Sequence, residues 1–458
     1  MKGEYLMYRL KKGTEIDLIT LQKFLDRHTY DVNNRYKKLF DAYTSDHDIL
    51  HQADKPKYKP DNRIVVNFPK YAVDTFNGFF IGNPIKTVAD DENIANFVEY
   101  LEQYNDQDDN NAELSKICSI FGHGYEMYYT DEEAELCITY LSPMEAFIIY
   151  DDSIIERPMY FVRRYKDDDG NEYGSISNRY GVRDFMVTGG LRWLEDDYEP
   201  HYFDDVPATE YVENAERQGL FEPNLSMVNA YNKALSEKAN DVDYFADAYM
   251  KILGPKVEGE DVQFIRDNRI INFESDEGEK VIVEFMQKPE SDTVQENLLN
   301  RLERLIFNIG MVANISDENF GGTSSGIALQ YKLLAMKNLA KTKERKFTSG
   351  MNRRYKLLFG HPKSKVPADS WVKIHYQFTL NIPANLLEES QIAGNIEGIV
   401  SHETQLKTLS IVDNIQDELD KIEKEESKNT NESIFDKMMH INSNQDNENQ
   451  NQEEKQDE

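Results

Sequence analysis

The sequence has little of what disulfide-stabilised, zinc-binding and membrane-spanning proteins need. Its 458 residues include only two cysteines, Cys118 and Cys137, too few for a disulfide framework or a four-ligand zinc site. No stretch of 18 uncharged apolar residues occurs, so we expect no membrane span. The first residues contain no apolar run followed by a small-residue cleavage site, and we therefore expect no signal peptide and a reduced intracellular compartment.

Positive charge is also scarce. The chain has 52 Lys and Arg residues against 84 Asp and Glu residues, a formal net charge of −32. A free surface with that charge repels DNA and anionic membranes, which argues against a protein that grips nucleic acid tightly. Aromatic residues make up 11 % of the chain, enough to exclude disorder throughout.

Catalytic motifs are missing as well. There is no P-loop, no Gly-x-Ser-x-Gly elbow and no His-Glu-x-x-His sequence. The glycine cluster at 321–326 predicts a flexible loop rather than a phosphate site, since no apolar strand precedes it and no lysine follows. We interpret His123, in a tight Gly-His-Gly turn, as structural, and acidic pairs such as Asp196 and Asp197 as solvated loops. We predict no enzyme, no cofactor and no metal site.

The apolar patterns that are present predict an α+β fold. Short runs rich in β-branched and aromatic residues between Tyr125 and Val187, separated by turn sequences, predict an antiparallel meander. Apolar residues at helical spacing predict a helix from Pro223 to Gly254 and a second one opening near Asp292. A compact module of about forty residues with strand-like pieces lies between these two helices. The first helix carries its apolar face on Leu225, Val228, Tyr231, Leu235, Ala239, Val242, Phe245, Tyr249 and Ile252.

Charge is unevenly distributed along the chain. Residues 330–373 hold twelve basic and two acidic residues, and residues 415–458 hold fourteen acidic residues and five lysines. The basic segment predicts either nucleic-acid contact or docking on an acidic surface of a neighbouring subunit. We favour docking because the rest of the chain is so acidic. The candidate residues are Lys332, Lys337, Lys341, Lys343, Arg345 and Lys346.

Four motifs, in the same order along the chain, resemble those of the portal proteins of long-tailed double-stranded DNA bacteriophages. The first is Asn-Arg-Ile-Val-Val-Asn at 62–67 followed by Gly-Asn-Pro-Ile at 82–85. The second, at 235–248, is similar to the family's first stem helix, and the third, at 319–332, to its tunnel loop and following helix. The fourth comprises 388–391 and 400–404, near the crown. The resemblance covers roughly residues 40–425.

The resemblance implies a mainly helical portal fold with wing, stem, clip and crown, assembled as a ring of about twelve subunits at one capsid vertex. Such a ring passes double-stranded DNA in and out of the capsid. Its partners would be terminase, a head-completion or adaptor protein, and capsid and scaffolding proteins, with no membrane involved. The location would be the virion, after assembly in the host cytoplasm. A metal-dependent nuclease or a non-ring acidic scaffold protein remain the alternatives.

The resemblance also implies how the chain divides. The segments are 1–222 wing, 223–253 stem helix 1, 254–291 clip, 292–313 stem helix 2, 314–326 tunnel loop, 327–383 wing return with a long basic helix and a strand, 384–426 crown helices and 427–458 a disordered acidic tail.

Two sets of residues follow as candidates for contact with a moving duplex. The tunnel loop comprises Asp317, Glu318, Asn319, Phe320, Gly321, Gly322 and Gly326. The stem charges that could face a channel are Lys233, Lys238, Lys251, Arg301 and Arg304. For each of these charges, an ion pair within the ring is the alternative that we favour.

Overall fold

The structure is a computed structural model that describes residues 7–57, 59–246, 250–253, 282–285, 292–315, 331, 333–382 and 386–425, except 410, 413, 414, 416 and 417. The chain divides into two compact units, the first described up to residue 381 and the second from 382 onward. No helix in these described ranges is both long and apolar enough to cross a bilayer.

Helices occupy much of the first unit and the described part of the second. Asp17, Asn67 and Asp91 start three of the helices, because their side chains accept hydrogen bonds from otherwise unpaired N–H groups of the first turn. The helices are α1 (Leu18–Asp31), α2 (Lys37–Tyr43), α3 (Phe68–Ile81), α4 (Glu92–Tyr104), α5 (Gln107–Phe121), α6 (Leu225–Ala246), α7 (Asp292–Gly310), α8 (Leu334–Gly360), α9 (Leu386–Ile396) and α10 (His402–Leu406).

The strands cluster between α5 and α6, as the sequence predicts. They are β1 (Tyr8–Leu10), β2 (Lys86–Ala89), β3 (His123–Thr130), β4 (Leu136–Leu141), β5 (Ala146–Asp151), β6 (Pro158–Lys166), β7 (Glu172–Ser177), β8 (Gly181–Met186), β9 (Arg192–Trp193), β10 (Glu199–Pro200), β11 (Ala208–Val212), β12 (Met250–Leu253), β13 (Ile282–Phe285) and β14 (Ile374–Gln377).

The largest sheet has the order β1-β5-β6-β7-β8-β10, with β9 beside β8. Strands β5 to β8 form an antiparallel meander, which confirms the predicted topology of this region. Strand β1 pairs in parallel with β5. Phe147, Phe161, Ile176 and Phe185 are fully buried in the core on this sheet.

Three smaller sheets complete the β structure that is described. Strand β3 lies between β11 and β4, β14 pairs with β2, and β12 pairs with β13, all antiparallel. Helix α8 packs on β11 at close range. A Cβ atom on Gly350 would lie 2.4 Å from the ring of Tyr211, so only glycine permits this approach.

The predicted helix from Pro223 to Gly254 is too long. Helix α6 ends at Ala246, and Met250–Leu253 form a strand paired with Ile282–Phe285. An apolar residue every second or third position in a short run fits a strand as well as a helix, and the partner strand decides between them. The segment 223–253 therefore holds a helix and the first strand of a β ladder.

Candidate functional site

Helix α6 is anchored to an extended segment, residues 62–66, by a row of side-chain hydrogen bonds. Alternate backbone N–H groups of the segment donate to side-chain oxygens spaced four residues apart on the helix. The three bonds join Asn62 N to Asn240 Oδ1 (2.6 Å), Ile64 N to Ser236 Oγ (2.9 Å) and Val66 N to Asn232 Oδ1 (2.9 Å).

The row works because two periods nearly coincide. Two residues of an extended chain advance about 6.6 Å, and four residues of an α-helix advance about 6 Å. Asn232, Ser236 and Asn240 are all buried. The buried face of α6 is thus largely polar, whereas Val242, predicted for the apolar face, is 63 % exposed. That part of the prediction is wrong because the backbone donors of the segment require acceptors once they leave water.

His47 extends the row into the neighbouring turn. Its Nδ1 lies 2.9 Å from Nδ2 of Asn232, and its Nε2 lies 2.9 Å from the carbonyl oxygen of Ala42. These partners require a neutral ring with the proton on Nε2, and burial lowers the pKa of His47 accordingly. Both ring nitrogens are engaged, so His47 serves the structure.

Helices α6 and α7 lie side by side and are joined by both polar and apolar contacts. Val228 and Ile306 are buried with Phe68 at one end of the pair. The polar contacts are an ion pair between Lys238 and Glu296, a bond from Gln295 Nε2 to Asp241 Oδ2 (3.0 Å) and a bond from Asn224 Nδ2 to the carbonyl oxygen of Ile306 (3.1 Å).

The structure places four of the five candidate channel charges. Lys233, Arg301 and Arg304 are exposed, and their side chains have no hydrogen-bond or ion-pair partner among the residues described. Lys238 instead forms the ion pair with α7. The side chain of Lys251 lies outside the described residues. Three basic groups on this pair of helices are therefore open to a polyanion or to another chain.

The same two helices expose apolar side chains. Val294 is 69 % exposed, Leu298 50 % and Ile309 51 %. On α7 the residues that the chain buries are Leu299 and Ile306 instead. The predicted packing stripe of α7 is thus only partly used within one chain, which leaves an apolar edge available to a further surface.

Helix α8 carries the predicted basic residues, and one of them must be withdrawn. Lys343 is 1 % exposed and pairs with Glu213 at 2.7 Å. Its Nζ also donates to the carbonyl oxygen of Ser115 (2.9 Å) and to Ser119 Oγ (2.7 Å). Lys343 therefore neutralises a buried carboxylate inside its own chain. Its neighbours Lys337, Lys341, Arg345 and Lys346 remain at the surface, and Lys332 lies outside the described residues.

Comparison with known proteins decides the family. A sequence model of the phage portal protein family, SPP1 Gp6-like, matches residues 21–432. The chain belongs to this family. The family name agrees with the resemblance seen in the motifs, and the match spans both compact units.

Two phage portal proteins are similar to the chain at low identity. The portal protein of Bacillus phage SPP1 is 22 % identical over 462 residues, covering 92 % of this chain and 89 % of the relative. That of Clostridium phage phiCD119 is 24 % identical over 231 residues, so the chain spans about half the length of this relative. A chain from the neck of an empty GTA particle has a TM-score of 0.45 and 14 % identity, covering 74 % of this chain and 88 % of that one. We base no argument on that likeness.

The tunnel-loop residues of this portal family member, Asp317 to Gly322 and Gly326, lie outside the described residues, as does most of the clip segment. For the nuclease alternative, Asp196 and Asp197 are exposed. Across the described ranges, no group of three or more His, Cys, Asp or Glu side chains is placed to hold a metal ion.

The sequence analysis missed a buried ion pair in the portal body. Arg354 on α8 and Glu126 on β3 are 0 % and 1 % exposed, with guanidinium-to-carboxylate distances of 2.6 and 2.9 Å. Arg354 also donates to Asn111 Oδ1 (2.6 Å), and Tyr128 and Tyr211 donate to Glu126. Burial alone would lower the pKa of Arg354, but Glu126 raises it well above its usual range. The pair fixes α8 on the sheet.

A second buried network surrounds His123. Its Nδ1 lies 2.8 Å from Glu210, which also binds Arg217 through two bonds of 2.7 Å. Tyr36 OH lies 2.9 Å from Nε2. Burial alone would raise the pKa of Glu210, but Arg217 and His123 lower it well below its usual range, while burial lowers the pKa of His123. The histidine is structural, as the sequence indicates.

Proposed function

We propose that the chain forms a closed ring of about twelve copies at one capsid vertex, through which double-stranded DNA enters and leaves. On this proposal the ring lies in the virion after assembly in the host cytoplasm. It docks terminase during packaging and a head-completion or adaptor protein afterwards, and contacts capsid and scaffolding proteins. The proposal includes no catalytic step and no cofactor.

The observation that carries the proposal is the unfinished packing of α6 and α7. A lone chain in water leaves Val242, Val294, Leu298 and Ile309 exposed on two helices that already contact one another. Covering one such side chain contributes about 1.5–3 kcal/mol. A neighbouring copy of the same helix pair, repeated around an axis, supplies the cover to every subunit by a heterologous contact.

The charge of the chain supports a conduit rather than a clamp. A net charge of −32 per copy keeps a duplex from adhering to the ring as a whole. Lys233, Arg301 and Arg304 on the helix pair would give a few weak phosphate contacts, each screened by salt. The segment roles given above (wing, stem, clip, tunnel loop and crown) belong to this proposal.

Native mass spectrometry and negative-stain imaging of the purified chain test it. Twelve copies of 53.3 kDa give about 640 kDa, and the particles should show an axial channel. Only monomers and dimers at high protein concentration would contradict the proposal.

A matched pair of variants tests the role of the apolar edge. Leu298→Asp should abolish or strongly reduce ring formation, because a carboxylate then replaces an apolar side chain in a subunit contact. Asn300→Asp, also exposed on α7, adds the same charge and should leave rings intact. Equal ring yield for both variants would remove this edge from the interface.

A further inference from the structure

An acidic groove lies where α4 ends and α5 begins. It has a volume of about 720 Å³, and its lining contains five carboxylates and no basic side chain. The lining residues are Glu99, Glu102, Gln103, Asp106, Gln107, Asp108 and Asp109. The side chains of Asp106, Asp108 and Asp109 have no hydrogen-bond or ion-pair partner among the residues described.

The helix dipoles account for only part of this charge. Asp108 and Asp109 lie in the first turn of α5, where the positive end of the helix dipole stabilises them. Glu99 and Glu102 lie in the last two turns of α4, at the negative end of its dipole, and the last turn has no basic residue. Burial raises the pKa of Glu102 and of Asp108. The groove therefore holds its negative charge at a cost that an incoming cation would relieve.

An orphaned acceptor in the groove wall points to a hydrogen-bond donor from outside the chain. Gln107 is 1 % exposed and donates through Nε2 to Asn111 Oδ1 (3.0 Å). Its Oε1 is buried and accepts no hydrogen bond from any described residue. Carboxylates together with an amide oxygen form an acceptor-only set, which matches a guanidinium or ammonium group.

The complementary surface is the outward face of α8. Lys341 and Arg345 lie two residues before and after Lys343, so each is turned about 200° from it around the helix. Because Lys343 reaches Ser115 and Ser119 on α5, Lys341 and Arg345 face away from α5. Both are exposed, and Arg345 has no hydrogen-bond or ion-pair partner in the described part of the chain.

We infer that the Lys341 and Arg345 face of one copy docks in the acidic groove of the next copy. The two surfaces belong to one compact unit, and the basic face points away from the helix that bears the groove, so the contact joins different chains. Each copy then offers a basic face on one side and an acidic groove on the other, a heterologous contact that closes a ring. Exposed charge pairs of this kind fix register and partner choice more than they add affinity. This inference rests on the proposed ring.

Disulfide trapping in the full chain tests the contact directly. The double variant Asp109→Cys with Arg345→Cys, oxidised after assembly, should give a ladder of covalent multimers on a denaturing gel. The natural cysteines Cys118 and Cys137 are buried and give little background. Arg345→Cys paired with Asp196→Cys, another exposed acidic position, is the matched control and should give no ladder. A ladder from the control of equal strength would overturn the inference.

Charge reversal gives an independent readout. Arg345→Glu should reduce the yield of rings at least tenfold at low salt, and adding Asp109→Arg should restore most of it. Rings of the unmodified chain without trapping or rescue would overturn the inference and leave the proposed function standing. No rings from the unmodified chain would defeat both. A loss of binding to a fluorescent DNA duplex with unchanged ring yield would assign Arg345 to DNA and also overturn the inference.

Discussion

The α+β body and the helix pair α6–α7 treat charge and apolar surface in opposite ways. In the body, Arg354 and Glu126 are both buried, and each charge finds its partner within the chain. In the helix pair, the Glu296 partner of Lys238 is about half exposed, while apolar Val294 and Leu298 face outward. The body is finished as a single chain, and the helix pair is completed by contact with something else.

This difference assigns separate tasks to the two regions. A buried ion pair gains little net stability, but breaking it is costly, so it favours one arrangement of α8 on the sheet. Exposed ion pairs and apolar edges are cheap to rearrange, which suits surfaces that meet a neighbour. The following predictions test whether the contrast holds within each region.

Arg354→Met should have the largest effect. It leaves Glu126 buried without its cation, which costs about 3–5 kcal/mol of unfolding free energy. Chemical denaturation followed by the fluorescence of Trp193 and Trp371 measures the loss. Lys356→Met, two residues away and exposed, should change stability by less than about 0.5 kcal/mol. Similar losses for both variants would mean that the pair is not decisive for the body.

His28 should make the stability of the body depend on pH. Its Nε2 lies 2.9 Å from the carbonyl oxygen of Pro143, and Arg164 approaches Nδ1 at 3.1 Å. Burial lowers the pKa of His28 from 6.5 to about 4. Between these values the unfolded chain binds more protons, so stability is full above pH 6.5 and falls as the pH drops toward 4. The loss is about 3 kcal/mol at 1.36 kcal/mol per pKa unit.

The unfolding free energy of His28→Gln, measured from pH 7 to pH 4, should show a flatter slope than that of the unchanged chain. His375→Gln, at an exposed position, is the control and should keep the original slope. If His28→Gln also keeps it, another group controls the pH response.

These outcomes bear on what the sequence can predict. The meander and the helix opening at Asp292 follow from local patterns of apolar residues, and the structure confirms both. The buried pair does not follow, because Arg354 and Glu126 are 228 residues apart. A lone carboxylate within Gly-Tyr-Glu-Met-Tyr-Tyr signals that some cation is needed, but no local rule identifies it.

The candidate site shows the same limit. The sequence placed candidate charges on the right helices, and it could not tell that Lys343 is buried while Lys341 and Arg345 are exposed. That distinction depends on the direction from which α5 approaches α8. Likewise, the role of Asn232 and Ser236 depends on residues 62–66 lying beside them, so a count of apolar positions on α6 mistook its buried face.

Ser236→Ala should have an intermediate effect on the helix pair. It removes the acceptor of the Ile64 N–H group, and a buried donor without a partner costs about 1–3 kcal/mol. Hydrogen exchange should show faster exchange at Ile64 and along α6, with the body unaffected. Lys233→Ala on the exposed side of α6 is the control. Unchanged protection at Ile64 in Ser236→Ala would contradict the anchoring row.

Lys238→Met should have the smallest effect and should vanish in salt. The ion pair between Lys238 and Glu296 is partly exposed, so its removal costs less than about 1 kcal/mol of local opening free energy at low ionic strength. At 1 M salt the Debye length is about 3 Å, and the difference from the unchanged chain should disappear. The effect of Arg354→Met should persist at that salt concentration because its partner is shielded from solvent. Hydrogen exchange of α6 amides, measured at both salt concentrations for both variants, decides whether the two regions differ as proposed. A salt-resistant loss for Lys238→Met would mean that the helix pair is held together as the body is.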